Sequence, residues 1–288
     1  MKNDPDNMRI KANAGFSIID IMVGMVIAML GMIIIFQVFS VSESVRRTTT
    51  SGGDALQNGT AALFMLENSL KQAGYGILAS TNIPPLPSDP ANTAPVTITS
   101  GATSAASDTI VLTYRPSSGT NSWDYGTFPP NPTGFPAIAV PPLTVETISV
   151  NNQAQLVSTI GGVASVLSDG IALMRAEYGI DANGDGIISG NEWTPATGAA
   201  NATVANNPRS VLAVRIVVVA RSAQPEVTRD ATGQILPVTQ CATTQVNPTW
   251  IDSATVPLDL SGGLGLATTD NWMCYRYKTF ENTVPIRG

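Results

Sequence analysis

The chain has 288 residues and a net charge of −6, with 43% hydrophobic and 12% charged residues. That length allows one large domain or two small ones, and the acidic balance argues against a nucleic-acid partner, which needs clustered Lys and Arg. The absence of histidine excludes Ser-His-Asp and Cys-His nucleophile pairs and histidine-ligated zinc. Two cysteines are too few for an all-thiolate zinc site, whereas paired-carboxylate chemistry remains possible on composition.

A nearly uninterrupted apolar segment follows the short polar start of the chain. It runs from Phe16 to Phe39, about 24 residues or roughly 36 Å as a helix, enough to cross a hydrocarbon core of about 30 Å. A cleaved secretory signal has an apolar region of only about 7–15 residues, with small residues after it. Here Ala12, Ala14 and Gly15 come before the apolar run, so the segment predicts a membrane-spanning helix.

One acid, Asp20, lies inside this segment, where a charge is costly unless it has a partner. The stretch GFSIIDIMV, which begins at Gly15, resembles the class III signal of type IV prepilins. The resemblance implies a leader peptide over residues 1–15, cleavage between Gly15 and Phe16 by a prepilin peptidase, and methylation of the new amine of Phe16. That family usually has Glu at the position of Asp20. An ordinary signal anchor with one tolerated acid is the alternative.

Cleavage would give Asp20 a partner. The acid would lie about one turn into the new helix, where the helix dipole favours an anion. In a filament of packed helices it could also pair with the freed ammonium group of a neighbouring subunit. Either contact would offset a cost of about 2.5–3.5 kcal/mol for a mid-membrane acid. We therefore expect Asp20 to act in assembly.

After the membrane span the helical spacing continues. Thr48–Thr50 and Gly52–Gly53 are poor helix residues and predict a break or flexible joint, while Gly74–Gly76 ends the helix. This arrangement resembles the α+β fold of pilins, in which a long N-terminal helix packs on an antiparallel β-sheet head with long loops. The resemblance implies a helix over residues 16–78, whose part 16–39 is transmembrane, and a head over residues 79–288. Spacing by three and four predicts one apolar stripe on this helix, made of Leu56, Gly59, Leu63, Leu66, Leu70 and Ala73.

Six segments of the head predict strands, because they alternate in polarity or are rich in β-branched residues. Residues 210–220 are the predicted central strand and 274–286 the closing strand. Residues 79–107 and 116–143, rich in Pro and small residues, predict irregular surface segments. The strand segments are 108–115, 144–150, 154–160, 171–180, 210–220 and 274–286.

Two of these strands carry side chains of interest. Arg175, Glu177 and Arg215 are predicted to form cross-strand pairs at the surface or at an interface. Alternation within 171–180 predicts a single face for Ala172, Met174, Ala176, Tyr178 and Ile180.

Four further segments narrow the resemblance. They resemble segments of minor pilins of the PilW type, and they are ALQNGTAALFMLENSLKQAGYG, DGIALMRAEYGIDANGDG, VLAVRIVVVARS and TFENTVPIRG. This implies a subunit anchored in the bacterial inner membrane, head in the periplasm, that joins a type IV pilus at the cell surface and helps to initiate its assembly. Implied partners are other minor and major pilins, the prepilin peptidase and the inner-membrane assembly platform. Such pili serve twitching motility, adhesion and DNA uptake. A pseudopilin of a type II secretion system is the first alternative.

The stretch DANGDGIISGNE, residues 181–192, fits the calcium-loop pattern in full, including Glu at its twelfth position. The flanks are not those of an EF-hand, because a strand pattern precedes the loop and Pro195 follows it. An Asx-rich turn without metal is the alternative. A hard cation needs many oxygen ligands, and the candidates are Asp181, Asn183, Asp185, the Ile187 carbonyl, Ser189 and Glu192.

Cys241 and Cys274 lie about 33 residues apart in a region that the resemblance places in the oxidising periplasm. They are predicted to form a disulfide, worth roughly 3–4 kcal/mol in the loop-entropy description. Two buried free thiols, or a redox pair, are the alternatives.

The remaining motifs are weak. Residues 262–270 are Gly-rich but lack Lys, so a phosphate loop is not expected. A membrane-tethered periplasmic enzyme would need carboxylates such as Asp108, Glu146 or Glu177, whose spacing supports no reaction. We expect no enzyme, and a calcium-dependent adhesin stays open as a third reading. Four aromatic residues among prolines predict a local apolar cluster, with an exposed adhesive patch as the alternative: Trp123, Tyr125, Phe128 and Phe135.

Overall fold

The computed structural model of the chain describes residues 17–77, 93–116, 142–226, 237, 240–241, 243–251, 253, 256–261 and 271–286. The chain divides into two compact units, Met1–Thr49 and Thr50–Gly288. The described part of the first unit is helical from Ile18 onward, and the second unit contains helices and two antiparallel sheets. The predicted α+β fold class, with an N-terminal helix and antiparallel strands, is confirmed.

Helix α1 extends from Ile18 to Gln72. The helix is continuous through Thr48–Gly53, so the break in the helix that was predicted there is wrong. Each of these threonines and glycines costs a helix at most about 1 kcal/mol relative to alanine, which the helix formers on both sides outweigh. The helix ends as predicted, before Gly74, whose φ of 80° turns the chain and whose N–H donates to the Thr113 carbonyl at 2.9 Å.

In the second unit, α1 buries a narrow stripe of small and aliphatic side chains. The prediction is wrong for Leu56, which is 53% exposed. A helix turns about 100° per residue, so Ala55 rather than Leu56 falls in line with the buried positions that follow. The buried stripe is Ala55, Gly59, Ala62, Leu66, Leu70 and Ala73, with Leu63 half-buried beside it.

The first sheet has five antiparallel strands in sequence order. Strands β2 to β4 fall where the sequence predicts them, whereas β1 and β5 were not predicted. Gly161 and Gly162, with φ of 57° and 83°, form a two-residue turn whose twist suits the β4–β5 hairpin. The strands are β1 (Val96–Thr99), β2 (Thr109–Tyr114), β3 (Thr144–Val150), β4 (Leu156–Ile160) and β5 (Val163–Ser168).

The second sheet has four antiparallel strands in the order β7-β6-β8-β9, so the single sheet predicted for the head is corrected to two. As predicted, β8 is internal and β9 closes the sheet. The short strand β7 and helix α2 (Gly198–Asn206) were not predicted. The strands are β6 (Ile171–Ile180), β7 (Trp193–Pro195), β8 (Val211–Arg221) and β9 (Tyr277–Pro285).

The main core lies between the α1 stripe and the inner faces of both sheets. Tyr178 of β6 links the second sheet to the first sheet and to helix α2. Its hydroxyl contacts Ile98 N of β1 and donates a hydrogen bond to Asn201 Oδ1 of α2 at 3.0 Å. Burial raises the pKa of Tyr178 to about 12.

Strand β6 is buried on both faces, which alternation alone did not indicate. Met174 and Tyr178 face the main core, whereas Ala172 and Leu173 belong to a second apolar cluster on the outer face. A register shift between Ile171 and Leu173 moves Ala172 off the face predicted for it.

At Gly59, helix α1 packs tightly against strand β9 of the second sheet. A Cβ atom built on Gly59 would lie 1.9 Å from Cε2 of Phe280 in β9. A Cβ atom on Gly53, which is in the same helix, would meet nothing within 4 Å. A side chain is therefore tolerated at Gly53 but not at Gly59.

We expect Gly59→Ala to destabilise the second unit by about 1–3 kcal/mol, because Phe280 must move out of a packed position. Gly53→Ala is the matched control and should gain up to about 1 kcal/mol from helix propensity. The measurement is chemical unfolding of the full-length chain in detergent, followed by tryptophan fluorescence. Wild-type stability of Gly59→Ala would contradict the close approach.

Candidate functional site

One helix among the described residues is long and apolar enough to cross a membrane. It is the segment Ile18–Glu43, 26 residues long. Its large side chains are exposed all around the helix, for example Ile27 at 64% and Phe36 at 67%. A helix that is apolar on every side needs an apolar surrounding, either protein or lipid. The segment agrees with the predicted span, whose first residue, Phe16, lies outside the described part.

Asp20 lies in the first turn of this helix and caps it. Its Oδ2 accepts a hydrogen bond from Ser17 N at 3.3 Å, while Ile19 N donates to Ser17 Oγ at 3.3 Å. Together these bonds resemble a capping box, which satisfies N–H groups that have no partner within the helix. The carboxylate therefore lies at the positive end of the helix dipole. The predicted cleavage site between Gly15 and Phe16 lies outside the described residues.

The loop after β6 brings three of the candidate calcium ligands together. Asp181 accepts hydrogen bonds from Gly184 N at 2.7 Å and from Gly186 N at 2.9 Å. Asn183 Nδ2 donates to Asp185 Oδ2 at 3.0 Å. The side chains thus organise the turn by binding its backbone, as an Asx-rich turn does. Ile187 follows at the rim of the loop and is 68% exposed.

Glu192 holds the two ends of the loop together instead of joining that group. Its Oε1 accepts from Ala182 N at 3.1 Å and its Oε2 from Ser189 N at 2.8 Å. These bonds, that from Ser189 N first, lower the pKa of Glu192 against the opposing effect of burial. Within the described residues, no three Asp, Glu, Cys or His side chains form a cluster that could hold a metal.

The loop leads directly into an aromatic stack around Arg215. The Arg215 guanidinium lies 4.8 Å from the ring centre of Trp193 and 5.6 Å from that of Trp250. It also pairs with Glu177, which accepts a hydrogen bond from Ser253 Oγ at 2.7 Å. The Glu177–Arg215 cross-strand pair is confirmed, but its predicted surface position is wrong, because Glu177 is fully buried. No pattern in the sequence indicates that Trp250, which is distant along the chain, packs on Arg215.

The other two acids considered for catalysis are also buried with their own partners. Asp108 accepts hydrogen bonds from Arg175 Nη1 at 2.7 Å and from Ala176 N at 2.9 Å. Arg175 is therefore buried too, contrary to the surface pairing predicted for it. Glu146 accepts from Ser158 Oγ at 2.6 Å and from other hydroxyls nearby. Burial and Glu146 both raise the pKa of Tyr114, one of those neighbours.

Cys241 and Cys274 form the predicted disulfide. The disulfide closes a stretch of chain whose described residues 243–260 we call the cover segment. Trp250, Leu258 and Leu260 of the cover segment pack on the outer face of β6 and β8. The bridge therefore fastens this covering layer to the residues that lead into β9, where Tyr275 and Met273 pack against it.

Asp259 joins the cover segment to the β1–β2 connection. It accepts hydrogen bonds from Ser261 Oγ at 2.6 Å and Ser104 Oγ at 2.8 Å. These bonds, led by that from the Ser261 side chain, lower the pKa of Asp259 to about 2.

The second unit can be compared with known families. A family model described as type IV pilus-assembly protein W matches residues 141–288, just over half of the chain. The chain belongs to the PilW family. The resemblance read from the sequence is thereby confirmed. The matched residues of this PilW-family chain begin before β3 and include the loop, the disulfide and β9, whereas α1, β1 and β2 lie outside the match.

Among solved structures, a type IV-like pilin from Thermus thermophilus is similar to the chain. The identity is 12% and the TM-score 0.36, and the alignment covers 81% of this chain and 95% of that chain. No curated protein matches the chain.

The stability of the second unit should fall in acid partly through Asp259. Its folded-state pKa of about 2 lies below the ordinary value of 3.8, so its contribution is complete above about pH 4 and is lost as the pH falls toward 2. Asp259→Asn should be less stable than wild type at pH 6 and should lose less stability between pH 4 and 2.

Urea unfolding of the full-length chain at several pH values measures this effect. Ser261→Ala removes the strongest hydrogen bond to Asp259 and should give an intermediate profile. Equal slopes for wild type and Asp259→Asn between pH 4 and 2 would show that Asp259 does not anchor the cover segment.

Proposed function

We propose that this PilW-family chain is a minor pilin, held in the bacterial inner membrane with its head in the periplasm until it enters a type IV pilus. The observation that carries the proposal is the joining of a PilW-family head to a membrane-length helix with an acid in its first turn. As a minor subunit it would help to initiate assembly together with other minor and major pilins and the inner-membrane platform. Motility, adhesion and DNA uptake would follow from the pilus as a whole.

The proposed mechanism begins with cleavage between Gly15 and Phe16 and methylation of the new amine. Asp20 already points toward the start of the helix, where its 3.3 Å bond from Ser17 N is long. A carboxylate has four acceptor sites, so Asp20 could keep this bond and also accept an ammonium group from a neighbouring subunit. Such a contact would fix the axial register of one helix against the next.

We propose a structural rather than a catalytic role. The buried acids Asp108, Glu146 and Glu177 each bind their own hydroxyl, guanidinium or backbone partners. Bonds of this kind compensate the burial of each charge and hold the side chain in place. They account for these acids without a substrate.

We expect Asp20→Asn to reduce incorporation into pili about 10- to 100-fold, because a hydrogen bond to a charged group is worth about 1.5–3 kcal/mol. Asp20→Glu keeps the charge and should be incorporated nearly as well as wild type. The measurement is the ratio of the protein in sheared pili to that in membranes, with mass spectrometry of the mature N-terminus.

The membrane level of Asp20→Asn should stay at the wild-type value, which separates assembly from insertion. Wild-type incorporation of Asp20→Asn, or a mature chain that keeps its first fifteen residues, would contradict the proposal. Association with secretion proteins in place of pilins would favour a type II pseudopilin.

We also propose that residues 181–192 bind calcium. The support is the full match to the loop pattern and the grouping of Asp181, Asn183 and Asp185. Glu192 would have to exchange its bond from Ala182 N or Ser189 N for the cation. That exchange has a cost, and it agrees with the weak range of extracellular calcium sites, a Kd of about 10⁻⁴–10⁻³ M.

Calorimetric titration of the full-length chain in detergent should show one calcium site in that range. Asp185→Asn should abolish it, whereas Asp169→Asn, an exposed acid outside the loop, should leave it unchanged. Trp193 follows Glu192 directly and provides a fluorescence signal for the same titration. Absence of heat with the wild-type chain, or equal loss in both variants, would contradict calcium binding.

A further inference from the structure

Strand β5 presents an open sheet edge. It pairs with β4 on one side only. Its residues 163–166 are exposed, with Val163 70% and Val166 52% accessible. Ile160, opposite Val163 across the turn, is 43% exposed and enlarges this apolar edge. An exposed strand edge of this kind is a template for pairing with another strand.

The other three edges of the described sheets are protected. Strand β1 adjoins helix α2. Strand β7 has three residues and ends in Pro195. Strand β9 carries Lys278 and Glu281. Cover by a helix, short length, proline, charge and bulges are the usual means by which sheet edges avoid pairing. The bulge of β5 lies at Leu167, and residues 163–166 before it have none of these protections.

The backbone of β5 leaves hydrogen-bonding groups pointing away from β4. The two-glycine turn closes on the pair Ile160 and Val163, and hydrogen-bonded and non-hydrogen-bonded pairs alternate along the ladder from there. The N–H and C=O groups of Ala164 and Val166 therefore face outward, and no backbone or side-chain group of the described residues bonds to them. An added antiparallel strand needs such groups at alternate positions.

We propose that β5 is a contact between two copies of this chain, in which the two β5 strands pair antiparallel about a two-fold axis. Centring the pair on Ser165 places Ala164 of one copy opposite Val166 of the other, on both sides of the axis, within the regular part of β5 that ends at the bulge at Leu167. This cross-strand pair is apolar, which favours packing between the strands. The strand is thus complementary to itself, which a two-fold contact requires.

Charge also favours a second copy at this edge. The chain has a net charge of −6, so two copies repel each other in general. Residues 151–168 contain no charged side chain, which makes this hairpin a place where two copies meet without like charges facing each other.

The contact is small and therefore depends on concentration. Two six-residue strands bury far less than the about 1,200–2,000 Å² of a stable stand-alone interface. It forms where copies are brought together, as when the Ile18–Glu43 helix holds them in one bilayer. The inference stands independently of N-terminal cleavage and of the proposed pilin role.

Cysteine cross-linking of the full-length chain in liposomes tests the contact. In the stated register, Ser165 faces its copy as a non-hydrogen-bonded pair with Cα atoms about 4.5 Å apart, within disulfide range. Ser165→Cys should give about tenfold more oxidised dimer than Thr283→Cys, an exposed position on the edge strand β9. The native cysteines are already joined to each other.

A second substitution separates pairing from random collision. Adding Val166→Lys to Ser165→Cys should lower the dimer yield about fivefold by burying two like charges in the pair, whereas Val166→Thr should preserve it. Val166 is exposed, so unfolding measurements should show both variants folded. Equal yields from Ser165→Cys and Thr283→Cys, an unchanged yield with Val166→Lys, or cross-linking to a different protein in cells would overturn the proposal.

Discussion

The second unit depends on burying both faces of the β6–β8 strand pair. Every residue of β6 is buried, and β8 is nearly so. The inner face is covered by the α1 stripe and the five-stranded sheet, while the cover segment packs on the outer face. A strand pair buried on both sides resembles the interior of a three-layer fold, and each layer must stay in place for the others to pack.

The outer layer is thin and is held by local bonds. The Cys241–Cys274 disulfide, the hydrogen bond from Ser104 to Asp259 and the packing of Trp250 on Arg215 hold the cover segment in place. Polar groups beneath it are compensated individually, as with Glu177 between Arg215 and Ser253. A buried charge is tolerated in such a layer only with close partners. The Asp181–Glu192 loop adjoins this region through Trp193, which places loop and stack in direct sequence contact.

Helix α1 has two parts that differ in the distribution of their apolar side chains. From Ile18 to Glu43 it is apolar on every side, as a bilayer requires. From Ala55 to Ala73 it narrows to a stripe of small residues, as packing against sheets requires. Gly59 is part of that stripe because only a residue without a side chain allows Phe280 to approach the helix.

The sequence by itself determined the membrane-length apolar helix, three strands of the first sheet and three of the second, the disulfide and the PilW family. These follow from local periodicity, β-branched runs, cysteine spacing and family motifs, all of which are properties of neighbouring residues. It did not determine β1, β5, β7 and α2. The three strands form because a neighbouring strand completes their hydrogen bonds, whereas α2 is held by burying Ala200 and Val204 in the main core.

Tertiary structure alone decided which charges are buried and which edges are open. Arg175 and Glu177 alternate as surface residues would, yet they are buried because the cover segment and the β1–β2 connection lie over them. The register shift that moves Ala172 to the outer face, and the open edge of β5, likewise depend on strand pairing. The burial of a side chain depends on contacts with residues that are distant in sequence, so a local sequence pattern does not predict it.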